Sequence, residues 1–273
     1  MIIRRRLPLL VLAATVLSAG SIWPASGASP APFSARPNRV LADLALELIW
    51  VEPGTFTMGS PADEPERHRA EGPRMQVTLT KGYWLGKTEV TQGQYEAIMG
   101  VNPSTFSTVG KDAPVERVSW IDAMNFCRKL TERERAAGRL PEGCAYTLPT
   151  EAQWEYACRA GTTGAYTGEP HAMAWYDGNS GGTTHPVGQK QPNAWGFFDM
   201  SGNVLEWCAD WYGNYPGGAR TDPTGPARGY YRMARGGSWR VGPGTGRSAA
   251  RSGGSAGRWD YTIGFRLALS AMP

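Results

Sequence analysis

The chain has 273 residues, of which 41% are hydrophobic and 19% are charged, and its formal net charge is +4 at neutral pH. Three basic residues lie in the first 28 positions, so the rest of the chain carries 25 basic against 24 acidic side chains. This near-neutral balance, with no run of lysine and arginine interleaved with aromatic residues, argues against a nucleic-acid-binding protein.

Residues 1–28 have the pattern of a secretory signal peptide. A basic stretch, Arg4-Arg5-Arg6, precedes a short apolar run from Leu7 to Gly20, and Ser26-Gly27-Ala28 offers a small-residue cleavage site. The run is short for a bilayer span and no stop-transfer pattern follows, so an uncleaved anchor is the weaker alternative. No cysteine lies near the cleavage site, as a lipoprotein anchor would need. The sequence therefore predicts a periplasmic or secreted protein without a membrane anchor after cleavage.

Without these residues the chain is 245 residues long, which suits one large domain better than two. Residues 29–44 are rich in alanine and proline and are expected to form a flexible lead-in, so that the domain comprises residues 45–270. The 35 glycines, 21 prolines and 11 tryptophans indicate a loop-rich fold whose core depends on aromatic side chains. We expect this domain to be a monomer.

Alternating apolar and polar residues predict several strands. Leu46 to Met58 alternates around Pro53-Gly54 as a hairpin would, and Met75 to Leu85 predicts a third strand. Short strands around Tyr230 to Trp239 and Ile263 to Leu269 are expected to return to the sheet of that hairpin.

Three helices follow from capping residues and helical spacing. One is predicted over Thr91 to Met99, and a second begins at Ser119 and ends in the charged run after Thr131. A third covers Pro149 to Cys158, where Thr150 can cap the helix and the glutamine three residues later can reciprocate.

The stretch from Asn193 to Trp211 concentrates oxygen donors at a turn. Asp199 and Glu206 lie seven positions apart, and Gly202 can supply the bend that brings both carboxylates to one centre. Carboxylates completed by backbone carbonyls are the ligands of a hard cation such as calcium.

A structural alternative explains the same residues equally well. Asp199 and Asn203 can cap a helix that turns Trp207 and Trp211 toward the core, with Glu206 paired to an arginine. The residues alone do not decide between a cation site and this capped helix.

The cysteines and histidines show no metal-ligand spacing, which makes a zinc or iron site improbable. No Cys-x-x-Cys pair occurs, and four cysteines allow three full disulfide pairings between which the sequence cannot choose. These residues are Cys127, Cys144, Cys158 and Cys208, with His68, His171 and His185.

Together these landmarks resemble the formylglycine-generating enzyme family, also called sulfatase-modifying factor domains. The resemblance covers nearly all of residues 46–269 in the order of the family. Its blocks are Gly54 to Ser60, Lys87 to Thr91, Pro114 to Trp120, Leu148 to Cys158, Asn193 to Trp207, Arg235 to Trp239, Arg247 to Arg251 and Gly264 to Arg266.

The resemblance implies an α+β fold, a variant of the C-type lectin fold with a twisted antiparallel sheet, few helices and much irregular loop. It also implies a structural calcium ion bound by the side chains of Asp199 and Glu206 and the carbonyls of Gly202 and Val204. A further calcium site of the family would begin near Asn179, but the chain is short beyond that residue, which counts against this site.

The chain departs from the family where the oxidase binds copper(I) through two cysteines. The first would fall at Val241 and the second within residues 242–246, and neither is present. Because copper(I) requires soft thiolate donors, we expect no copper and no formylglycine synthesis by that mechanism.

The disulfides of the family are also missing. Cys127 and Cys158 match its half-cystines, but the partner positions hold Leu267 and Ser248. The sequence leaves open free thiols or a pairing of Cys127 with Cys144.

A candidate binding surface remains after the Gly-Gly-Ser block, since arginine and aromatic side chains on a glycine-rich frame suit recognition. Its residues are Ser238, Trp239, Arg240, Arg247, Arg251, Ser252, Arg258, Trp259, Asp260 and Tyr261. In the alternative, Arg247, Arg251 and Arg266 only neutralise buried carboxylates such as Glu155 or Glu206, and Trp239 belongs to the core.

Three functions are compatible with these features. The first is an accessory or ligand-binding module for a peptide, glycan or protein partner. The second is an enzyme without copper, similar to the relatives that mature pyoverdine siderophores, with an acid or base near Ser238. The third is a variable binding protein diversified by a retroelement between Gly236 and Arg266.

Overall fold

The structure is a computed structural model that describes residues 36–271, so the predicted signal peptide lies outside the described residues. The helices are α1 Gln92–Met99, α2 Trp120–Ala136, α3 Glu151–Arg159 and α4 Pro170–Met173. The strands are β1 Arg39–Leu41, β2 Leu46–Val51, β3 Gly54–Met58, β4 Met75–Leu79, β5 Tyr83–Gly86, β6 Cys144–Thr147, β7 Leu205–Trp211, β8 Gly218–Thr221, β9 Arg232–Arg235, β10 Ser252–Gly254, β11 Ile263–Gly264 and β12 Ala268–Ala271.

The strands form three sheets, and with few helices and long irregular segments the domain has the expected α+β class. A five-stranded sheet has the order β1-β2-β5-β12-β6, a four-stranded sheet β10-β9-β7-β11, and a three-stranded sheet β3-β4-β8. Most neighbours are antiparallel, but β11 pairs with β7 and β8 pairs with β4 in parallel.

The hairpin predicted around Pro53-Gly54 is wrong, although both of its strands exist. β2 pairs with β1 and β5, whereas β3 pairs with β4 in another sheet. The prolyl nitrogen of Pro53 has no hydrogen to donate to a ladder, so pairing stops there and the chain changes sheets. The strand predicted over Met75 to Leu85 likewise divides into β4 and β5, which belong to different sheets.

The two ends of the domain also differ from expectation. Of the C-terminal strands, only β12 joins the sheet of β2, while β9 and β11 flank β7 in the four-stranded sheet. The expected flexible lead-in, residues 29–44, ends in regular structure, because β1 pairs with β2 and a 3-10 turn follows at Ala42–Leu44. The domain therefore begins before residue 45.

The three predicted helices are confirmed, and each begins with a reciprocal capping box. Thr91, Ser119 and Thr150 accept hydrogen bonds from backbone amides three residues later, and the side chains at those positions bond back to the cap. None of the helices in residues 36–271 combines the length and hydrophobicity that membrane crossing needs.

Two hydrophobic cores lie on opposite faces of the strands of the five-stranded sheet. On β5, Trp84 packs in one core, whereas Tyr83 and Leu85 pack in the other. The first core joins the sheet to α1 through Tyr95 and to α2 through Phe126 and Leu130, and the second joins it to α3. Because the strands are buried on both faces, their sequences are more continuously apolar than a half-exposed strand would be.

Candidate functional site

The turn from Asp199 to Val204 leads directly into β7, which contains Glu206, so the capped helix considered for this stretch is not formed. Asp199 and Asn203 have left-handed backbones, with φ of 59° and 64°. Gly202 is required by packing, since a Cβ there would lie 2.3 Å from the carbonyl oxygen of Trp175. These conformations turn the oxygen-rich segment into the interior.

Glu206 is held by a bidentate ion pair at the centre of this segment. Its Oε1 accepts from Nη2 of Arg266 and its Oε2 from Nε, both at 2.6 Å, and Trp154 Nε1 donates to Oε2 at 2.7 Å. All three side chains are fully buried. The arginine partner considered for Glu206 is therefore Arg266.

Two further carboxyl groups lie in this acidic pocket, those of Asp199 and Glu89. Asp199 Oδ2 accepts from the backbone N–H of Gly188 at 2.8 Å, but Asp199 Oδ1 and Glu89 Oε2 are buried without a hydrogen-bond partner. Burial raises the pKa of Asp199 to about 6, and burial with repulsion from Asp199 and Glu206 raises the pKa of Glu89 well above its ordinary value. Three acids therefore share the single positive charge of Arg266.

These donors fit a hard cation only with help from the backbone. Among residues 36–271, no three histidine, cysteine, aspartate or glutamate side chains surround one point closely enough to hold a metal ion. A calcium shell here needs backbone carbonyls, which the resemblance places at Gly202 and Val204. The unpartnered oxygens of Asp199 and Glu89 belong to carboxyl groups with raised pKa values, which such an ion would favour in their ionised form.

A second feature, which we call the cleft, lies where the resemblance places the copper-binding cysteine pair. It has a volume of about 510 Å³. Val241 and the 3-10 turn Pro243–Gly246 form one side of the cleft, with Glu66, His68 and Glu71 also among its lining residues. No sulfur atom belongs to the described residues that line it, and of the ten predicted surface residues it includes Arg247, Arg251 and Ser252.

The arginines of the cleft are occupied by internal partners. Nη1 of Arg247 lies 2.6 Å from Glu64 and its Nη2 lies 2.6 Å from Glu71, while Arg251 makes a bidentate pair with Glu151 at 2.7 and 2.8 Å. Although burial opposes it, hydrogen bonds led by that of Arg247 lower the pKa of Glu71. The structure thus places Arg247 and Arg251, like Arg266, against buried carboxylates.

The other predicted residues form a separate surface, which we call the aromatic face. Trp259 is 59% exposed, and the guanidinium of Arg117 lies 4.5 Å from the centre of its ring. The guanidinium of Arg240 lies 5.0 Å from the ring of Tyr261. The aromatic face comprises Trp239, Arg240, Arg258, Trp259, Asp260 and Tyr261, together with Phe106 and Arg117.

The aromatic face has a rigid base. Trp239 is only 7% exposed, donates from Nε1 to the carbonyl of Tyr261 at 3.1 Å, and meets Phe106 edge-on at 5.1 Å. Ser238 is buried, and its Oγ has no hydrogen-bond partner among the described residues. The ten predicted residues therefore divide between the cleft, the aromatic face and this buried serine.

The four cysteines are free thiols, so the pairing of Cys127 with Cys144 is not formed. Cys127, Cys158 and Cys208 are buried. Burial raises the pKa of Cys158 to about 11 and raises those of Cys127 and Cys208 well above the ordinary value of a thiol. Thiols in this state are poor nucleophiles and poor metal ligands at neutral pH.

Sequence reasoning missed Glu89, Phe106 and Arg117 as site residues. In the sequence analysis, Glu89 occurs only as one residue of the block from Lys87 to Thr91. The one feature that could have indicated it is a glutamate next to an apolar residue, Val90. Phe106 and Arg117 carried no motif, because only folding brings them to Trp239 and Trp259.

The geometry can be compared with known proteins. The model of the sulfatase-modifying factor enzyme 1-like domain family matches residues 36–271. Chaperone protein LppX of Paenibacillus barcinonensis is 31% identical over 240 residues, covering 71% of this chain and 78% of that protein. A formylglycine-generating enzyme of Streptomyces coelicolor is 34% identical over 182 residues, covering 58% of this chain and 53% of the enzyme. The chain thus matches about half the length of that enzyme.

Solved structures of other proteins have a similar fold. Variable protein 1 of Treponema denticola superposes with a TM-score of 0.75 at 30% identity, over 85% of this chain and 98% of that one. PvdO of Pseudomonas aeruginosa superposes with a TM-score of 0.73 at 28% identity, over 85% of this chain and 97% of that one.

Proposed function

The chain belongs to the family of sulfatase-modifying factor enzyme 1-like domains, and from this premise we propose that it is a binding or accessory module for a polypeptide partner. In this proposal it does not perform the copper-dependent oxidation that forms formylglycine. The main support is the aromatic face, where an exposed tryptophan lies among arginines.

The chemistry of the cleft supports the absence of copper oxidation. Val241 occupies the position expected for the first copper-binding cysteine, and residues 242–246 contain no second one. The cysteines at other positions are free, and those that are fully buried hold their protons tightly because burial raises the pKa of each thiol. Copper(I) therefore lacks a pair of thiolates in the cleft.

The aromatic face has the composition of an interface centre. Arginine and tryptophan are enriched among the residues that dominate binding energy, because they combine a large apolar contact with directed hydrogen bonds. Arg117 and Arg240 stack on Trp259 and Tyr261, which limits the side-chain entropy that a partner would have to remove. The name of the relative LppX, a chaperone, agrees with a protein-binding role.

The enzymatic alternative receives less support from the cleft. Acid–base catalysis beside Ser238 needs a carboxyl group whose pKa is raised toward neutrality. Glu71 of the cleft does not meet this need, because hydrogen bonds that include those of Arg247 and Ser60 lower its pKa, and Ser238 is not among the residues that line the cleft. The serine itself is buried.

The variable-protein alternative retains one specific support. Most of the aromatic face lies between Gly236 and Arg266, and the similarity to variable protein 1 extends over 85% of this chain. A nearby non-coding near-copy of the DNA for this segment, differing at template adenines, would select that alternative. Diversified residues would then alter the partner without altering the binding role.

We also propose export and a structural calcium ion. Residues 1–28 support export to the periplasm or medium through their signal-peptide pattern. The side chains of Asp199 and Glu206 and the carbonyls of Gly202 and Val204 would hold the ion. When bound, the ion would neutralise the excess of carboxylates over Arg266 and fix the turn before β7.

Peptide selection tests the binding role. Peptides would be selected from a phage-displayed library on the wild-type domain, and their affinities measured against Trp259→Ala and Arg240→Ala variants. Loss of an interface-centre residue should weaken binding by about tenfold or more. Tyr230→Ala is the matched control, because Tyr230 is 92% exposed and lies outside the aromatic face.

Selected peptides that bind all three variants as well as wild type would contradict the aromatic face as the binding site. A glycan array probed with the same proteins covers the other ligand class. Glycan binding that depends on Trp259, in the absence of peptide binding, would replace the polypeptide partner by a carbohydrate.

A further inference from the structure

A second cavity of about 500 Å³ lies beside the start of α3 and shares no residue with the aromatic face. It is enclosed by α3, the ends of β3 and β4, and the segment 213–226. Its walls are largely apolar and carry a few polar groups, a composition typical of small-molecule sites. The apolar and aromatic lining includes Met58, Met75, Trp211, Tyr215, Pro223 and Pro226.

Asp210 of β7 contributes a buried carboxyl group to the lining of this cavity. It is only 4% exposed, and its Oδ2 accepts from the backbone N–H of Glu151 at 2.8 Å. No lysine, arginine or histidine of residues 36–271 forms an ion pair with it. Burial, followed by repulsion from Glu151, raises the pKa of Asp210 to about 7. An ionised carboxylate at this position therefore has a backbone hydrogen bond but no ion-pair partner among the described residues.

The other charged groups at the cavity are already engaged. Glu151 and Arg251 neutralise one another, and Arg251 also donates to the carbonyls of Ala70 and Gly213. Asp222 accepts from the backbone N–H of Thr80 at 2.8 Å.

The nearby arginines form no ion pair with Asp210, although the charges of Arg251 and Arg232 act on it from a distance. Arg220 donates to the carbonyl of Ala219. The guanidinium of Arg232 lies over the rings of Trp211 and Trp120 at 3.5 and 3.6 Å and donates to the carbonyl of Ala209. Asp222 also lacks an ion pair within the described part of the chain but is exposed, so Asp210 is the buried acid of the cavity that a charged ligand can satisfy.

We propose that this cavity binds a protonated amine attached to an apolar body, with the ammonium group on Asp210 and the body against the methionine, tyrosine and proline walls. A buried carboxylate gains most from a charge-assisted hydrogen bond, because water screens it poorly. The ammonium can belong to a small amine or to a lysine side chain of a peptide. The proposal is independent of the aromatic face.

The proposal carries a dependence on pH. Asp210 must be ionised to hold the ammonium, whereas an alkyl amine stays protonated well above neutrality, as lysine does. No histidine is among the described residues that line the cavity. The other charged or titratable groups around Asp210 belong to several elements. They are Glu151 and Arg251, which pair with each other, Arg232 of β9, Arg220, Asp222, and Tyr215 and Cys208, whose pKa values burial raises. Amine affinity should therefore rise about tenfold from pH 6 to pH 8.

Calorimetric titration with probes that share an apolar body and differ in the polar head group tests the site. The probes are 2-phenylethylamine, 2-phenylethanol and 3-phenylpropionate, with Nα-acetyl-lysine methylamide as the peptide-like amine. The amine should bind about tenfold or more tightly than the alcohol and the acid. Stronger binding of the lysine derivative than of 2-phenylethylamine would assign the site to a peptide side chain, and the reverse to a free amine.

Asp210→Asn is the informative variant. It keeps the acceptor for the N–H of Glu151 and removes a buried charge, so it should fold at least as well as wild type. Its amine affinity should fall about tenfold or more and lose the dependence on pH. Asp222→Asn, which changes the other unpaired acid of the cavity, should leave amine affinity near the wild-type value. Absence of saturable amine binding, equal binding of amine and alcohol, or unchanged binding by Asp210→Asn would each overturn the proposal.

Discussion

Arginines buried against glutamates recur through the interior, and they set the consequences of single substitutions. Arg235 reaches Glu155, Arg247 reaches Glu64 and Glu71, and Arg266 reaches Glu206. Desolvation offsets much of the attraction in such pairs, so their net contribution to stability is small. Removing one partner is different, because it leaves an uncompensated charge in the interior.

Arg247→Met should therefore destabilise the domain strongly. The substitution keeps the apolar stem but leaves Glu64 and Glu71 without their guanidinium, at a cost of roughly 3–5 kcal/mol. Urea unfolding followed by tryptophan fluorescence would measure the free energy of unfolding. Arg258→Met is the control, since its exposed pair with Asp260 should contribute less than about 1 kcal/mol. Equal effects of the two substitutions would show that the ion pair of Arg247 is not structural.

The cysteine positions give a second prediction at this scale. Wild-type protein should retain no copper(I) in competition with a chromophoric chelator, because thiolate pairs are absent from the cleft. The double variant Val241→Cys/Thr245→Cys should bind about one copper(I) per chain, while each single variant should not. Stoichiometric copper on the wild-type chain would contradict our assignment of the cleft.

The roles of individual residues could be predicted from the sequence where residues of one chemical type lie close together in the chain. Asp199 and Glu206 stood out because both lie within one turn of an acidic, glycine-containing segment. Glu89 could not be predicted in the same way, because it lies far from Asp199 and Glu206 in the sequence and only folding brings the three together. No other acidic residue lies beside it in the chain to suggest a site. Burial of a lone acid leaves little trace in a sequence.

At the scale of elements, local signals were reliable and pairing was not. The capping boxes at Thr91, Ser119 and Thr150 involve residues three apart, so the sequence contains both partners. Strand pairing depends on distant segments. Alternation around Pro53 correctly indicated two strands, but it held no information that β3 would pair with β4 and not with β2.

One disulfide that the resemblance implies, and that this chain lacks, can be restored by a single substitution. Cys158 lies in the last turn of α3, and the resemblance places its disulfide partner at Ser248. Both residues are fully buried, and the Ser248 side chain lies close enough to lower the pKa of the Cys158 thiol against the dominant effect of burial. Ser248→Cys should therefore form a disulfide with Cys158 and stabilise the domain by about 2–4 kcal/mol under oxidising conditions.

Thiol titration and thermal unfolding with and without reductant would measure that effect. Cys158→Ala/Ser248→Cys is the matched control, because it has the new cysteine without a partner. A reductant-sensitive gain in this double variant, or no loss of free thiols in the single variant, would contradict the expected contact.

For the whole molecule, stability has to come from packing and from the acidic pocket, because the cysteines are free. The five-stranded sheet separates two cores, and a long irregular segment, residues 174–204, lies between α4 and β7. Segments of this length lose much conformational entropy on folding. An ion that fixes their end at Asp199 would therefore act on the global unfolding equilibrium.

Calcium should accordingly raise the melting temperature of the whole domain. At a calcium concentration a hundredfold above Kd the stabilisation is about 2.7 kcal/mol, which for a domain of this size corresponds to a rise of roughly 5–10 °C. Asp199→Asn should abolish the rise while preserving the fold, because asparagine tolerates the φ of 59° and can still accept from Gly188. Asp112→Asn, at an exposed acid, should keep it. Calorimetry with calcium and with chelator would measure the melting temperature of each variant. A calcium-dependent rise that survives in Asp199→Asn would place the ion elsewhere. No rise in the wild-type protein would mean that protons, and not an ion, balance the carboxylates of this pocket.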